Sequence, residues 1–191
     1  PAVQGLMNPL STHDTPRART VLGVRRPVDP LEQGNYQPTA EELEKGGRLL
    51  RLGAMLQYTL PGFPSLYYGD EAGLCGFSDP WNRRCYPWGR EDRELIGFFA
   101  RLGALRREHP EEMSAALSFL VSDKGLTSFR RGHLAVAVNC GGGREQLSLP
   151  PGAEILLEEG GASWKGTALC LPPDSGAILR LPEEQVERSR R

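Results

Sequence analysis

The spacing of apolar residues changes near Pro110, and this change limits the folds that the chain of 191 residues can adopt. Before Pro110, short apolar runs alternate with long segments of helical periodicity, the order typical of a βαβ sheet or barrel. After it, short runs of strand type are separated by turns rich in Gly and Pro, which is the spacing of an antiparallel β-sandwich. The sequence therefore predicts an α/β part followed by an all-β part.

Two long helices are predicted before Pro110. The first, over 39–60, begins with Thr39 and Glu42 at the spacing of a capping box. The second, over 91–109, has apolar residues that recur with helical periodicity. Pro110 is expected to end it, because proline cannot continue a helix. Two short strands are predicted to precede these helices, one that ends near residue 8 and one over 65–69.

Seven strand-like runs are predicted in the second part. They are 116–121, 126–130, 134–139, 145–149, 154–159, 167–171 and 176–181. Gly- and Pro-rich turns separate most of them, as in a sandwich of two antiparallel sheets.

The balance of charges excludes some classes of function. Lys and Arg number 23 and Asp and Glu 24, so the formal net charge is -1. Such a balance gives no long-range field that would attract nucleic acid or an anionic membrane. Since no apolar run reaches the ~18 residues of a membrane span, we expect neither nucleic acid nor a membrane as a partner.

The four cysteines, Cys75, Cys85, Cys140 and Cys170, match no zinc-binding pattern. Cys75 and Cys85 share one loop and could bridge in an oxidising compartment. Free thiols are favoured in a chain of this size with so few cysteines. The cysteine usage thus favours a reducing, cytoplasmic compartment over export.

Polar side chains cluster in the loops that follow the two predicted strands of the first part. The clusters are His13 with Asp14, Asp70 with Glu71, and Asp79 with Arg83. Residues just past the ends of parallel strands face the ligand side of an α/β fold. We therefore expect the first and third clusters to converge above one mouth.

Each cluster also has a structural interpretation. A His-Asp pair in a loop with proline is typical of turns, and Asp79 and Arg83 can form a surface ion pair. Asp70 and Glu71 can cap a helix or hold a cation, although no Asp/Asn-rich calcium loop surrounds them. Trp81, Tyr86 and Trp88 can cover the end of a barrel. Their combination favours a carbohydrate site, because a sugar presents apolar C–H faces to aromatic rings and many hydroxyls to Asp and Arg.

Three segments in a fixed order resemble a known family. They are "NPLSTHDTPR" (8–17), "LPGFPSLYYGDEAGL" (60–74) and "DPWNRRCYPWG" (79–89). They resemble the last third of the alpha-amylase family of glycoside hydrolases (family 13), in the subgroup of neopullulanase, cyclomaltodextrinase and amylopullulanase-like enzymes. The resemblance covers about residues 5–110, and the β-rich remainder resembles the C-terminal sandwich domain of these enzymes.

The resemblance implies a domain organisation. Residues 1–112 correspond to the last two βα units of a (β/α)₈ catalytic barrel, and residues 113–183 to a C-terminal antiparallel β-sandwich domain. The remaining residues, 184–191, are predicted to be a charged, disordered tail.

The resemblance also implies roles for individual residues. Asp14 matches the catalytic aspartate that stabilises the transition state, and His13 matches a histidine that hydrogen-bonds the same sugar. Asp79 and Arg83 match a pair that contacts glucose on the non-reducing side. Residues 67–71 match the last barrel strand and its exit, and are interpreted as architectural. Possible walls of the subsite are Trp81, Tyr86 and Trp88.

The matched region leaves out two catalytic groups of the family. Its nucleophilic aspartate and its acid/base glutamate belong to earlier strands of a barrel that takes about 250 residues. The resemblance therefore implies a C-terminal fragment of a retaining hydrolase of maltooligosaccharides, cyclodextrins, starch or pullulan that is inactive alone. No cofactor or metal is expected in this segment, and calcium, where members bind it, lies elsewhere in the parent chain. Such a fragment would expose strand edges that the other barrel units cover, and exposed edges can pair with a second copy, so a homo-dimer is predicted.

The sequence is compatible with two other functions. One is a non-catalytic carbohydrate-binding module that holds sugar through Trp164 and the loop aromatics. The other is a scaffold protein whose α/β part only pairs with a partner. The positions of Asp79 and Arg83 discriminate, because a catalytic subsite needs both at the same mouth as Asp14.

Overall fold

A computed structural model describes residues 5–183 of the chain. They form two compact units, which are 5–58 with Gly62–Leu105, and Thr59–Pro61 with 106–183. The predicted tail, 184–191, lies outside the described residues. None of the helices within 5–183 is long and apolar enough to cross a membrane.

The first unit is built on two parallel strands joined through a long helix. Its elements are β1 (Met7–Pro9), α1 (Ala18–Gly23), α2 (Ala40–Thr59), β2 (Phe63–Ser65) and α3 (Arg93–Glu108). Met7 lies opposite Phe63 in the parallel pairing of β1 with β2. This is the predicted βα order, in which a helical crossover connects parallel strands. Met7 and Phe63 are exposed, and the dimerisation expected from such strands stays a prediction.

Both long helices form as the sequence predicts. Thr39 and Glu42 make the reciprocal capping-box bonds, with the Thr39 N–H donating to Glu42 Oε2 at 2.8 Å and the Glu42 N–H donating to Thr39 Oγ1 at 3.2 Å. The apolar stripe of α3 is buried throughout, at Leu95, Phe98, Phe99, Leu102 and Leu105. Pro110 follows α3 and stands at the first position of a short helix, α4 (Pro110–Ser114), where proline's missing N–H costs nothing.

Two details of the first unit differ from the prediction. The second strand was predicted over 65–69 and lies at Phe63–Ser65 instead. The chain turns at Tyr67–Asp70, and the Tyr68 carbonyl accepts a hydrogen bond from Arg17 rather than from a neighbouring strand. The connection after β1 also contains α1, which the sequence did not predict. This helix is short and has no side-chain cap of its own, so its local signal is weak.

The second unit is the predicted antiparallel β-sandwich. Its strands are β3 (Leu117–Asp123), β4 (Leu126–Arg131), β5 (Leu134–Asn139), β6 (Glu145–Ser148), β7 (Glu154–Glu159), β8 (Ser163–Lys165), β9 (Ala168–Leu171) and β10 (Ser175–Arg180). One sheet has the order β3-β4-β5-β10-β7 and the other the order β6-β9-β8. Buried side chains from both sheets, among them Ala135, Leu169 and Leu179, form one core. All seven predicted runs form strands, whereas β8 was missed because it has three residues between glycine-rich turns.

Candidate functional site

The loops that follow β1 and β2 bring four polar residues together. Arg83 Nε lies 2.9 Å from Asp79 Oδ1, and Arg83 Nη2 lies 3.8 Å from Asp14 Oδ1. The same Nε donates to the His13 carbonyl at 3.2 Å. His13 Nε2 lies 3.1 Å from Asp14 Oδ2. We call His13, Asp14, Asp79 and Arg83 the polar cluster.

The polar cluster is open to solvent. The side chains of His13 and Asp14 are 68% and 72% exposed, and about half of each of the other two is exposed. Ion pairs this exposed contribute ~0–1 kcal/mol to stability. The cluster therefore offers hydrogen-bond donors and acceptors that a ligand can reach, and its ion pairs contribute little to the stability of the fold.

Arg17 is the buried anchor of the loop that carries His13 and Asp14. Its side chain is fully buried. Its Nε donates to the Asn82 carbonyl at 2.8 Å, and its Nη1 lies 3.0 Å from Asp70 Oδ1. The guanidinium carbon also lies 4.0 Å from the centre of the Tyr67 ring, within cation–π range. Arg17 thus links the loop after β1 to two parts of the chain that follow β2.

Asn82 holds the same loop from the other side. It is fully buried in a 3₁₀ turn, Trp81–Arg83. Its Nδ2 donates to the carbonyls of Thr12, His13 and Thr15 at 3.3, 2.8 and 2.9 Å. Since Arg83 is the next residue, these bonds fix the guanidinium beside Asp14.

The Asp70 carboxylate is unavailable to a ligand because it is buried and bound to the Arg17 guanidinium. The carboxylate is 3% exposed. Burial raises the pKa of Asp70, against the hydrogen bond from Ser11 and the charge of Arg17, which lower it. Asp70 therefore serves to neutralise the buried guanidinium.

The three aromatic residues expected to line the site lie in different surroundings. Trp81 packs against Gly34, where an added Cβ would come within 2.7 Å of the indole ring. The rings of Tyr86 and Trp88 lie 4.5 Å apart, and Trp88 is 79% exposed. Partial burial and the Glu71 carboxylate raise the pKa of Tyr86. Within 5–183, only Trp81 is joined to the polar cluster, through the 3₁₀ turn that it shares with Arg83.

Sequence reasoning missed Arg17 and Asn82 as residues of the site. Both stand inside the segments that carry the family resemblance, "HDTPR" and "DPWNRR". An arginine directly after a loop proline, and an asparagine in the middle of a long loop, are the signals that were present. Neither signal points to a ligand, because both residues act from the interior of the unit.

Comparison with known proteins identifies the family. No family model matches the chain. It is 38% identical over 131 residues to an amylopullulanase of Thermoanaerobacter thermohydrosulfuricus, an alignment that covers 69% of this chain. It is 30% identical over 139 residues to a cyclomaltodextrinase of Thermoanaerobacter pseudethanolicus. The chain belongs to the alpha-amylase family of glycoside hydrolases. It spans 8% of the length of the amylopullulanase and 24% of the cyclomaltodextrinase.

Solved structures of the alpha-amylase family have the same fold. A debranching enzyme of Nostoc punctiforme, soaked with acarbose, matches 92% of this chain with a TM-score of 0.67 and 26% identity. A type III pullulan hydrolase from Thermococcus kodakarensis matches 91% with a TM-score of 0.65 and 28% identity. The chain covers 34% and 28% of these two proteins. These matches confirm the predicted fold class, the last βα units of a (β/α)₈ barrel followed by a β-sandwich.

Proposed function

We propose that the chain is the C-terminal part of a retaining hydrolase of alpha-glucans, which are maltooligosaccharides, cyclodextrins, starch or pullulan. The observation that carries this proposal is the meeting of His13 and Asp14 with Asp79 and Arg83 in the polar cluster. A binding module or scaffold would not require these four side chains at one opening after parallel strands.

Asp14 is proposed to stabilise the transition state. Cleavage by a retaining glycosidase passes through an oxocarbenium-like state, in which positive charge develops on the sugar ring. A fixed carboxylate next to the ring interacts more strongly as that charge grows. Asp14 contacts His13 and Arg83, which orient the carboxylate while its exposed edge stays accessible.

His13 is proposed to donate a hydrogen bond to a hydroxyl of the same glucose. Its Nε2 lies 3.1 Å from Asp14 Oδ2, so the two groups can bond neighbouring hydroxyls of one ring, the imidazole N–H as donor and the carboxylate as acceptor. The backbone of His13 stays in place meanwhile, because its carbonyl accepts from Asn82 and Arg83.

Asp79 and Arg83 are proposed to bind a neighbouring glucose on the non-reducing side. Vicinal hydroxyls of a sugar both donate and accept, and a carboxylate beside a guanidinium complements this pattern. The 2.9 Å contact between the two residues holds both groups at one spacing.

The chain alone is proposed to lack hydrolytic activity. The family's nucleophile and acid/base belong to the preceding part of the barrel. Asp70 cannot substitute for either, because it is buried against Arg17. We refer below to a protein that carries this chain behind the preceding βα units as the longer chain.

We expect the Arg83→Ala substitution to raise KM of the longer chain for maltooligosaccharides about tenfold, with a smaller change in kcat. Arg83 would bind a glucose beside the cleaved bond, so its contacts are present in both the ground state and the transition state. Steady-state kinetics on maltotriose and longer oligosaccharides measure both constants. Arg90→Ala, on the same loop and exposed, is the control and should leave both unchanged. A fall in kcat alone would contradict this role for Arg83.

A further inference from the structure

A cavity of about 310 Å³ opens on the surface of the β-sandwich. Two turns and the strand β8 line it, through Pro150, Pro151, Gly152, Trp164, Gly166 and Thr167. The volume is at the lower end of the ~300–1,000 Å³ typical of pockets for small ligands. One or two monosaccharide rings fit a cavity of this size.

The sheet register explains why an indole ring stands at this cavity. Trp164 on β8 pairs with Leu169 on β9, which pairs in turn with Leu147 on β6. Paired residues of antiparallel strands point to the same face of a sheet. Both leucines are buried in the sandwich core, whereas β8 is an edge strand and leaves Trp164 37% exposed. The row of apolar side chains therefore ends in a flat aromatic surface that solvent can reach.

The chemistry of the lining selects a neutral ligand with one apolar face. No charged side chain lines the cavity, which disfavours anions and cations as ligands. Within the described part of the chain, neither the Thr167 hydroxyl nor the Trp164 indole N–H has a protein hydrogen-bond partner, so both can bond a ligand. The rigid rings of Pro150 and Pro151 preform one wall.

We infer that this cavity is a second carbohydrate site, which binds one or two glucose units of an alpha-glucan with a ring stacked on Trp164. The choice of an alpha-glucan rests on the proposed function. The C–H face of a glucose ring packs on the indole, while its hydroxyls bond Thr167 and the indole N–H. A polymer held here stays tethered to the chain, which raises its effective concentration at the polar cluster.

The test is a titration of the ¹⁵N-labelled chain of 191 residues with maltotriose, followed at the tryptophan indole N–H signals by NMR. The Trp164 signal, assigned with the Trp164→Phe variant, is expected to shift and to saturate. Trp164→Ala removes this indole signal, so its binding is followed at the backbone amide signals of Gly166 and Thr167 and should be about tenfold weaker or more. Thr167→Val, of nearly the same shape, should weaken it about fivefold and carries the test if Trp164→Ala does not fold. Ser163→Ala, on the other face of β8, is the matched control.

Specific outcomes overturn the inference. They are an unmoved Trp164 signal at saturating maltotriose, an equal response to the β-linked cellotriose, or unchanged binding by Thr167→Val. Failure here is separable from failure of the proposed function, which depends on Asp14 and is read from turnover by the longer chain. Turnover that requires Asp14, with no sugar at Trp164, would refute only the second site. Sugar at Trp164, with turnover independent of Asp14, would refute only the catalytic role.

Discussion

The Asp14→Asn substitution is expected to lower kcat of the longer chain on maltooligosaccharides and cyclodextrins by about 1,000-fold, with KM changed far less. The change keeps the shape of the side chain and removes its charge. The charge matters most when the sugar ring becomes positive, so the loss falls on the transition state. Steady-state kinetics of the two proteins measure it. Turnover near that of the wild type would mean that the His-Asp loop is only a turn.

The structure supplies the controls for this prediction. Asp14 is 72% exposed, so its contacts with His13 and Arg83 contribute little to folding. Thermal unfolding of the variant should therefore match that of the wild type, and a lost fold cannot be mistaken for lost chemistry. Asp123→Asn, at an exposed aspartate of the sandwich, removes the same charge and should leave kcat unchanged. The chain of 191 residues alone is the blank, with no turnover expected.

The Arg17→Met substitution is expected to lower the free energy of unfolding of the first unit by about 3–5 kcal/mol. It removes the partner of Asp70 and leaves that carboxylate buried without a counter-charge. It also frees the Asn82 carbonyl that accepts from Arg17. Urea denaturation followed by circular dichroism measures the change. A loss below about 1 kcal/mol would mean that Arg17 does not anchor the loop.

Two comparisons isolate the buried charge from other effects of Arg17→Met. Arg180 and Glu154 form an ion pair of similar length at an exposed position, 2.9 Å against 3.0 Å for Arg17 and Asp70, so Arg180→Met should cost no more than about 1 kcal/mol. The double variant Arg17→Met with Asp70→Asn should recover part of the lost stability, because it removes the orphaned charge.

The cost of Arg17→Met should also depend on pH. Burial raises the pKa of Asp70 in the folded state, so the folded protein takes up this proton more readily than the unfolded chain. Arg17 opposes this rise through its hydrogen bond and its charge, so the pKa of Asp70 should be higher still in the variant. As pH falls, both folded proteins gain stability relative to their unfolded chains, and the variant gains more because protonation removes its unpaired charge. The difference between wild type and variant should shrink in acid, and a difference independent of pH would contradict this cause.

Sequence patterns predict the fold well where periodicity is local. The stripe of α3 from Leu95 to Leu105, the capping box at Thr39 and the short strand-like runs of the sandwich are all set by nearby residues. The position of β2 was predicted a few residues too late, because the apolar run continues past Ser65. The Tyr68 carbonyl accepts a hydrogen bond from Arg17, which is distant in sequence, instead of a bond within the sheet. Long-range contacts of this kind leave no periodic signal.

In the candidate site, too, some features could be predicted from local sequence and others depend on long-range contacts. The convergence of Asp14 with Asp79 and Arg83 could be expected, since both loops follow parallel strands. The buried support could not, because Arg17 and Asn82 act through backbone carbonyls that any residue presents. The surroundings of Trp88 and Trp164 could not be predicted from the sequence either, since each depends on how a turn folds back beside the ring.

A crystal structure of the longer chain with acarbose tests most directly whether the polar cluster is one wall of a glucose-binding subsite. We expect Asp14 and His13 within about 2.5–3.2 Å of hydroxyls on one ring, with Asp79 or Arg83 bonded to the adjacent ring. The inhibitor bound elsewhere, with His13 and Asp14 still paired to each other and facing solvent, would contradict it.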